Sequence, residues 1–309
     1  MTTMKSLSVP HPFPYQGSKR GIAHAILNYF PTDVQCLIEP FCGSGAVSIA
    51  AATQGLAKQF VLNDLNKPLM DLWRAILEAP NDLSNSYERQ WLEQQPDLKS
   101  YFFKVRDAFN QSAQAHQLLY LLARIVKGAV RYNSEGKFNQ SADNRRAGMR
   151  PNTMRQNLLA VSALLNHRTL LSASDFRETL SMAKPQDLVY LDPPYQGTSF
   201  TRDSRYLAGI SYAELVERLY HLNTLDISYL LSYDGVTGTK VYGKPLPLDL
   251  ELKHVALAAG RSSQATLLGN KAETIESLYL SPALVKRLKH DHSYQNTPHI
   301  LDQQSLVLV

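Results

Sequence analysis

The sequence predicts an α/β fold in which a doubly wound, mostly parallel sheet carries a helical insert. Three observations lead to this fold class. Strand-like and helix-like segments alternate in both flanking parts of the 309-residue chain, as they do in sheets built from β-α-β units. A glycine turn follows the first strand-like segment, and residues 79–167 replace the alternation with mostly helical and irregular patterns. The last two strand-like runs are separated by a polar connection, which predicts an antiparallel hairpin at one edge.

The first strand is predicted over residues 36–41 and is followed by the glycine turn. Gly43 and Gly45 lie in this turn, and the small helix-forming residues 46–52 come next. A strand, a glycine turn and a helix bring backbone N–H groups and a helix N-terminus close to a ligand. Position 48, where a dinucleotide fingerprint has its third glycine, is serine. The turn therefore favours a nucleoside without a pyrophosphate over NAD or FAD, and a tight turn without any ligand is the alternative.

The second predicted strand, residues 60–62, ends at Asn63 and Asp64. Asp64 follows Gly45 by 19 residues, a spacing at which an acidic side chain binds both hydroxyls of a ribose. Ahead of both strands, the segment 14–20 contains Tyr15 and Lys19 and leads into a helical pattern. Lys19 offers an ammonium to a carboxylate, and Tyr15 offers an aromatic face to a purine or a sugar. Ordinary surface positions are the alternative for both.

The tetrapeptide Asp192-Pro193-Pro194-Tyr195 ends a strand predicted over residues 187–191. Its prolines stiffen the turn and carry no N–H, so the backbone offers carbonyl acceptors that no proline donor competes for. One carboxylate and one aromatic ring lie beside them. Such a site accepts hydrogen bonds from an exocyclic amino group and stacks the ring that carries it, as a flipped nucleobase requires. A strand that simply ends in a proline turn is the alternative.

Periodicity predicts the remaining elements. Helices are predicted over 65–78, 101–109, 115–130 and 212–222, and further strands over 168–172, 228–233, 250–257 and 276–280. Periodicity places the strand before Asp192 at 188–191. Ala79-Pro80-Asn81 is expected to end the first of these helices and to open a polar, irregular stretch. The tail after Pro282 is expected to be poorly ordered.

Positive charge is concentrated in the insert. The whole chain has a net charge of +5, whereas residues 124–155 contain eight Lys or Arg against Glu135 and Asp143. Clustered cations interleaved with Tyr132, Phe138 and asparagines favour a surface that contacts phosphates and bases. An ordinary solvated basic face is the alternative.

The order of these motifs resembles the Dam-type family of DNA adenine methyltransferases. That family has an amino-terminal lysine motif, a glycine loop, a target-recognition insert and then Asp-Pro-Pro-Tyr, and the resemblance covers residues 11–282. The segment 131–139, with its Arg-Tyr-Asn, glycine and Phe-Asn, is similar to the family's recognition segment. The run at 144–146 departs from the better-known members, so the recognised DNA sequence stays open.

The resemblance implies a site-specific enzyme that transfers a methyl group from S-adenosylmethionine to N6 of an adenine flipped out of double-stranded DNA. It implies a catalytic domain of residues 1–78 and 168–309 and a target-recognition domain of residues 79–167. The predicted catalytic residues are Asp192, Pro193, Pro194 and Tyr195. The resemblance assigns Tyr15, Lys19, Asp64 and Asp192 to the cofactor, and the glycine turn adds Phe41, Gly43 and Gly45. The predicted DNA contacts are Arg131, Tyr132, Asn133, Lys137, Asn139, Arg145, Arg146 and, from the terminal hairpin, Arg261. A solvated hairpin loop is the alternative for Arg261.

Three other functions stay open at this point. Methylation of N4 of cytosine uses the same acceptors and the same stacking residue, and the residues discriminate poorly between the two bases. A methyltransferase of RNA or of a protein amide fits less well, because of the lysine motif and the long basic insert. A DNA-binding module without activity is disfavoured by the intact Gly43, Gly45, Asp64 and Asp192.

Composition adds expectations about the surroundings of the protein. Only two cysteines occur, Cys36 and Cys42, and the nine histidines lack metal-ligand spacing, so we expect no disulfide framework and no metal. No apolar span reaches the roughly 18 residues of a membrane helix, and the amino terminus lacks a leader pattern. The sequence thus predicts a soluble cytoplasmic protein, associated with the nucleoid through DNA and without an obligatory protein partner.

Overall fold

The computed structural model describes residues 8–143, 145–194, 210–237, 240–242, 244–261 and 273–291. Of the predicted site residues, Tyr195 lies outside the described residues, and only the backbone of Arg261 is described.

One sheet organises the described part of the chain. Its strands are β1 (Cys36–Glu39), β2 (Gln59–Asn63), β3 (Thr169–Ser172), β4 (Leu188–Leu191), β5 (Tyr229–Thr237), β6 (Lys240–Tyr242), β7 (Lys253–Arg261) and β8 (Glu273–Leu280). They follow the order β3-β2-β1-β4-β5-β8-β7, with β6 paired to β5. The first five are parallel to one another, whereas β6 and β8 pair antiparallel with β5, and β7 pairs antiparallel with β8. The predicted α/β sheet with an antiparallel hairpin at one edge is confirmed.

The helices are α1 (Ala23–Leu27), α2 (Ala46–Gln54), α3 (Lys67–Glu78), α4 (Pro80–Glu93), α5 (Leu98–Ser112), α6 (Ala115–Arg124), α7 (Pro151–Leu165), α8 (Phe176–Leu180), α9 (Tyr212–Thr224) and α10 (Pro282–His290). Short 3-10 turns occupy Lys19–Gly21, Val126–Gly128 and Leu248–Leu250.

Apolar layers cover both faces of the sheet, which is why its central strands are continuous apolar runs. In β1, Leu37 packs into a core shared with α1, α2 and α3, whereas Ile38 packs into a second core with α8 and α9. In β4, Tyr190 and Leu191 alternate between the same two cores.

Helices α4 to α7 form a further layer on the α3 side of the sheet. Helix α4 packs against α6 and α7, and α3 contacts both of these. Trp73 of α3, Phe102 of α5 and Leu158 of α7 belong to one continuous buried cluster. The mostly helical character expected of residues 79–167 is observed, and their separation as a recognition domain stays a prediction.

The first helix ends at Glu78, as expected, but the stretch after it is helical and not irregular. Helix α4 begins at Pro80 itself. An N–H group in the first turn of a helix has no acceptor within the helix, so the missing N–H of proline costs no hydrogen bond there. The polar stretch that follows is helical because Leu83 and Tyr87 bury one face of α4, which packs on α7. Its polar composition hid the helical periodicity.

Two other boundaries also differ from the expectations. Helix α6 ends at Arg124 instead of continuing to residue 130, because Ile125 pairs with Ala142 and Gly128 adopts φ +62°. The tail expected after Pro282 begins with α10, whose Leu284 and Leu288 are buried. Residues 292–309 lie outside the described residues.

Candidate active site and nucleic-acid interface

A cavity of about 300 Å³ opens at the carboxyl ends of β1, β2, β3 and β4. The chain leaves β1 for β2 on one side, and β4 lies on the other side of β1. This is the switch point of a doubly wound sheet, where ligands bind. The predicted residues Tyr15, Lys19, Phe41, Gly43, Asp64, Asp192, Pro193 and Pro194 all line this cavity.

The glycine turn is shaped by two aromatic rings. Gly43 and Gly45 have φ angles of +49° and +58°, in the left-handed region that favours glycine. A β-carbon on Gly43 would lie 3.1 Å from the Tyr15 ring, and one on Gly45 would lie 2.7 Å from Trp73. The Trp73 indole N–H donates to the Gly43 carbonyl at 2.9 Å. Gly45 does not line the cavity. A glycine is needed at this position because the Trp73 ring leaves no room for a β-carbon, and the sequence did not reveal this constraint.

Asp64 is held rigidly at the end of β2. Its Oδ2 accepts the Gly43 N–H at 3.2 Å and its Oδ1 accepts the Asn66 N–H at 2.9 Å. Burial raises the pKa of the Asp64 carboxyl, and these two backbone donors act in the opposite direction. A carboxylate has about four lone-pair sites, so each oxygen keeps acceptor capacity for a ligand hydroxyl.

Lys19 and Asp192 form the electrostatic centre of the cavity. The Lys19 ammonium, 8% exposed, lies 2.9 Å from Oδ1 of Asp192 and 3.5 Å from Oε2 of Glu276 on β8. Burial raises the pKa of Asp192, and the Lys19 charge opposes that shift. Sequence reasoning missed Glu276, because only the antiparallel pairing of β8 with β5 brings it to this place.

A third carboxyl, more deeply buried than Asp64 and Asp192, closes the floor of the cavity. Glu39, 2% exposed at the end of β1, accepts the Ser48 N–H of the first turn of α2 at 2.6 Å. Burial raises its pKa to about 7. The sequence signal for this residue was its position directly before the glycine turn, at the carboxyl end of a strand.

Sequence reasoning also missed the residues that follow β3 and form one wall of the cavity. Asp175, Phe176 and Arg177 follow β3 and line the cavity. The rings of Phe41 and Phe176 lie 5.3 Å apart, so two aromatic side chains form an apolar wall. The rule that ligands bind at the carboxyl ends of parallel strands would have found this segment, since it directly follows a predicted strand.

The predicted recognition segment is a tight hairpin on the surface of the helical layer. Tyr132 pairs with Phe138, and Gly136 supplies φ +72° in the turn between them. The Asn133 side chain accepts the backbone N–H of Lys137 at 2.9 Å. Asn110 of α5 holds the base of the hairpin by bonding both the N–H and the carbonyl of Phe138, at 2.7 and 3.1 Å.

The predicted DNA contacts divide into two groups. Arg131, Asn133, Lys137, Asn139, Arg145 and Arg146 are exposed. Tyr132 is instead half-buried; it lines the cavity, and its hydroxyl lies 3.3 Å from the side-chain oxygen of Asn66. Part of the basic count is not free surface charge. Arg124 is buried, Arg155 pairs with Glu88 at 3.0 Å and Lys137 pairs with Glu135 at 3.1 Å, while Arg146 lies 3.9 Å from Asp143.

Neither a metal centre nor a membrane helix is found among the described residues. They contain no cluster of three or more His, Cys, Asp or Glu that would hold a metal ion. No helix in the described part of the chain combines the length and apolar character that crossing a bilayer requires.

The strand order, with antiparallel β8 between β5 and β7, and the cavity at the switch point define a Rossmann-like methyltransferase. The model of the D12 class N6 adenine-specific DNA methyltransferase family matches residues 15–247. The chain belongs to this family. The predictions of a DNA methyltransferase and of adenine N6 as its target are confirmed, and the alternatives are not favoured.

Named relatives agree with the family. The chain is 26% identical over 219 residues to a type II methyltransferase of Lactococcus lactis subsp. cremoris, covering 65% of this chain and 72% of that protein. It is 26% identical over 238 residues to a DNA adenine methylase of Vibrio cholerae serotype O1, covering 73% and 82%. A DNA N-6-adenine-methyltransferase of Escherichia phage P1 is 28% identical over 189 residues, which are 60% of this chain but 24% of the phage protein.

Proposed function

We propose that this enzyme uses S-adenosylmethionine as its methyl donor and acts on an adenine flipped out of double-stranded DNA. The observation that carries the proposal is that Asp64 and Asp192 line one shared cavity. The residue suited to a ribose and the residue suited to an amino group therefore face a common space.

The charges around the cavity suit S-adenosylmethionine. Its sulfonium and ammonium are cations, and Glu39, Asp64, Asp175 and Asp192 line the cavity with carboxyl groups. Of these, Asp175 pairs with Arg177 and Asp192 pairs with Lys19. Asp64, fixed by two backbone donors, would accept both ribose hydroxyls. Tyr15 and the Phe41–Phe176 wall offer apolar faces to the adenosine part.

The methionine end is assigned to Lys19 and the glycine turn. The Gly43 and Gly45 N–H groups already donate within the protein, to Asp64 at 3.2 Å and to the Cys42 carbonyl at 2.6 Å. The glycines therefore serve by allowing close approach of a ligand and of the rings of Tyr15 and Trp73.

The bound cofactor supplies an electrophilic methyl group on a sulfonium. Asp192 and the Pro193 carbonyl would accept the two amino hydrogens of the adenine, which directs the nitrogen lone pair toward that methyl. Tyr195 would stack on the flipped base, and Pro194 keeps the turn rigid. Since the leaving group is already activated, positioning of the two reactants supplies much of the rate enhancement.

The two parts of the chain have different proposed roles. Residues 1–78 and 168–309 bind the cofactor and the flipped base, and residues 79–167 recognise DNA. The exposed cations of the hairpin and of the loop after it would contact phosphates, with Arg261 adding a contact from the edge strands. Tyr132 joins both parts, because it lies on the hairpin and lines the cavity. We place the enzyme in the cytoplasm, on the DNA that it modifies.

Two measurements test the proposal together. Calorimetric titration should show S-adenosylmethionine binding to the wild type, strong weakening in Asp64→Ala, and wild-type affinity in Asp71→Asn, a control that removes an exposed carboxylate of an ion pair. Mass spectrometry of duplex DNA after incubation should show N6-methyladenine, and Asp192→Ala should lower turnover by about 100-fold or more with DNA binding kept. Wild-type turnover in Asp192→Ala, or equal cofactor affinity in Asp64→Ala, would contradict it.

A further inference from the structure

The basic loop after the hairpin, residues 142–150, rests on a buried polar cluster that the proposed chemistry does not use. We call Tyr87, Gln94, Tyr120 and Arg124 the loop anchor. Each is at most 1% exposed, although each carries a strongly polar group. Residue 144 lies outside the described part of this loop.

The loop anchor bonds the backbone of the loop at several points. The Gln94 amide donates to the Ala147 carbonyl at 2.8 Å, and the Tyr87 hydroxyl donates to the Met149 carbonyl at 2.6 Å. The Tyr120 hydroxyl donates to the side-chain oxygen of Gln94 at 2.9 Å and so fixes the orientation of that amide. Arg124 also donates to this oxygen.

The loop is fitted to the anchor as well as bonded to it. Gly148 has φ +91°, and a β-carbon there would lie 3.1 Å from the Arg124 side chain and 3.2 Å from the Tyr87 hydroxyl. At the other end of the loop, the Asp143 N–H donates to the Arg124 carbonyl at 2.7 Å. The Asp143 carboxylate then accepts the Arg145 N–H at 2.9 Å.

A buried polar cluster of this kind stabilises the fold less than apolar side chains of the same volume would. The Arg124 guanidinium is surrounded by neutral groups, namely the Gln94 oxygen, the Leu98 carbonyl at 3.5 Å and the Tyr120 ring at 5.9 Å. Burying a charge and an amide costs more free energy than burying apolar groups of the same volume. The Arg124 Nε finds no acceptor among the described residues, so the cluster is not fully satisfied. What the polar groups add is a single defined path for the loop backbone, because another path would leave more of them without partners.

The loop presents positively charged side chains to solvent on the side away from the loop anchor. Arg145 is exposed, and the Arg146 side chain is 83% exposed. We propose that Tyr87 and Gln94 are positioning residues for DNA recognition: with Tyr120 and Arg124 they hold the loop in its DNA-binding conformation before DNA arrives. This inference rests on the proposed function, in which Arg145 and Arg146 contact DNA. A preformed loop binds more tightly because its ordering cost is not incurred on binding.

Conservative variants test the anchor. Tyr87→Phe removes one hydroxyl and Gln94→Met removes the amide, and both keep the shape of the buried side chain. Each should raise the KM for DNA and the Kd for DNA by about tenfold, the value of one buried hydrogen bond. The kcat and the Kd for S-adenosylmethionine should stay at wild-type values. The matched control is Tyr101→Phe, which removes a hydroxyl that bonds Glu93 at 2.7 Å and keeps the ring that packs on Tyr120 of the anchor at 5.6 Å.

Two further readouts separate positioning from a merely structural role. Hydrogen–deuterium exchange of peptides covering residues 139–150 should become faster in Tyr87→Phe and Gln94→Met and stay unchanged in Tyr101→Phe. In an Arg145→Ala/Arg146→Ala background, the two anchor variants should no longer weaken DNA binding, because their effect passes through those arginines.

The outcomes are distinguishable. If the double arginine variant binds DNA like the wild type, the DNA contacts in the proposed function fail and this inference fails with them. If the double variant weakens binding but Tyr87→Phe and Gln94→Met do not, the inference alone is overturned. Equal weakening by the anchor variants in both backgrounds would also overturn it, since their effect would then bypass the loop.

Discussion

The Lys19 ammonium lies 2.9 Å from Oδ1 of Asp192, so the amino-terminal motif and the Asp-Pro-Pro turn meet as an ion pair inside the cavity. All of the helical insert, residues 79–167, lies between these two residues in sequence. The ion pair favours the ionised form of a carboxyl whose pKa is raised by burial. The carboxylate accepts an amino hydrogen more strongly than the neutral carboxylic acid does.

Replacement of Lys19 by methionine should therefore change the pH dependence of catalysis. Removing the ammonium disfavours the carboxylate, so the pKa of Asp192 should rise further. The acid limb of kcat/KM should move to higher pH. Rates measured from pH 5 to 9 at saturating cofactor check this, with the exposed Lys67→Met as control. An acid limb that stays in place would show that Lys19 does not govern Asp192.

Glu39 should make the folded protein less stable as the pH rises. Its pKa is about 7 in the folded state against an ordinary value of 4.5, so between these values the folded state binds more protons than the unfolded state. The free energy of unfolding should fall by about 3 kcal/mol across this window, at about 1.4 kcal/mol per pKa unit.

Urea unfolding at pH 5 and pH 8 tests this behaviour. Glu39→Gln keeps an oxygen for the Ser48 N–H and cannot ionise, so it should lose this part of the pH dependence and gain stability relative to the wild type at pH 8. Glu78→Gln, at an exposed ion pair, is the control. If Glu39→Gln kept the wild-type pH dependence, the loss of stability at high pH would not be due to Glu39.

The two glycines at the ends of α2 should respond differently to alanine. Both have positive φ, +58° at Gly45 and +69° at Gly55. A β-carbon on Gly45 meets the Trp73 ring at 2.7 Å, whereas one on Gly55 meets nothing within 4 Å. Gly55→Ala should cost about 1 kcal/mol through backbone strain, and Gly45→Ala should cost about 1 to 3 kcal/mol more through overpacking. Chemical denaturation of both variants measures the difference; equal losses would refute the role of Trp73.

The exposed arginines of the basic loop should control the salt dependence of DNA binding. Arg145→Ala and Arg146→Ala should each lower DNA affinity and reduce the slope of log K against log salt by about one for each phosphate that the variant no longer neutralises. Fluorescence anisotropy with duplex DNA at several salt concentrations gives the slope. Arg74→Ala, at an exposed position of α3, should leave the slope unchanged. A wild-type slope in both loop variants would remove the phosphate contacts from the proposal.

The sequence was most informative where a local rule is strict. Apolar runs buried on both sides predicted the parallel strands, and the glycine turn and the proline turn marked the carboxyl ends of β1 and β4. Asp64 was found because its distance from the glycine turn is set by the helix between them. Polar helices were harder: α4 was missed because its buried face includes Tyr87 and Gln90, which weakens the apolar periodicity.

Contacts between distant segments were beyond any local rule. Glu276 reaches Lys19 through the pairing of β8 with β5, and Phe176 reaches Phe41 across the cavity. Arg124 is one of many insert cations in sequence, yet the fold buries it beneath the basic loop. Burial and partner are properties of the packed chain, and residue type alone does not specify them.

The sequence by itself determined the class of fold, the family and the residues at the ends of the strands, because these depend on side-chain periodicity and on backbone rules that act over a few residues. Only the tertiary structure decided which charges meet, which cations face solvent and what holds the basic loop in place. Those outcomes depend on strand order and on helix packing, which bring together atoms more than a hundred residues apart in the chain.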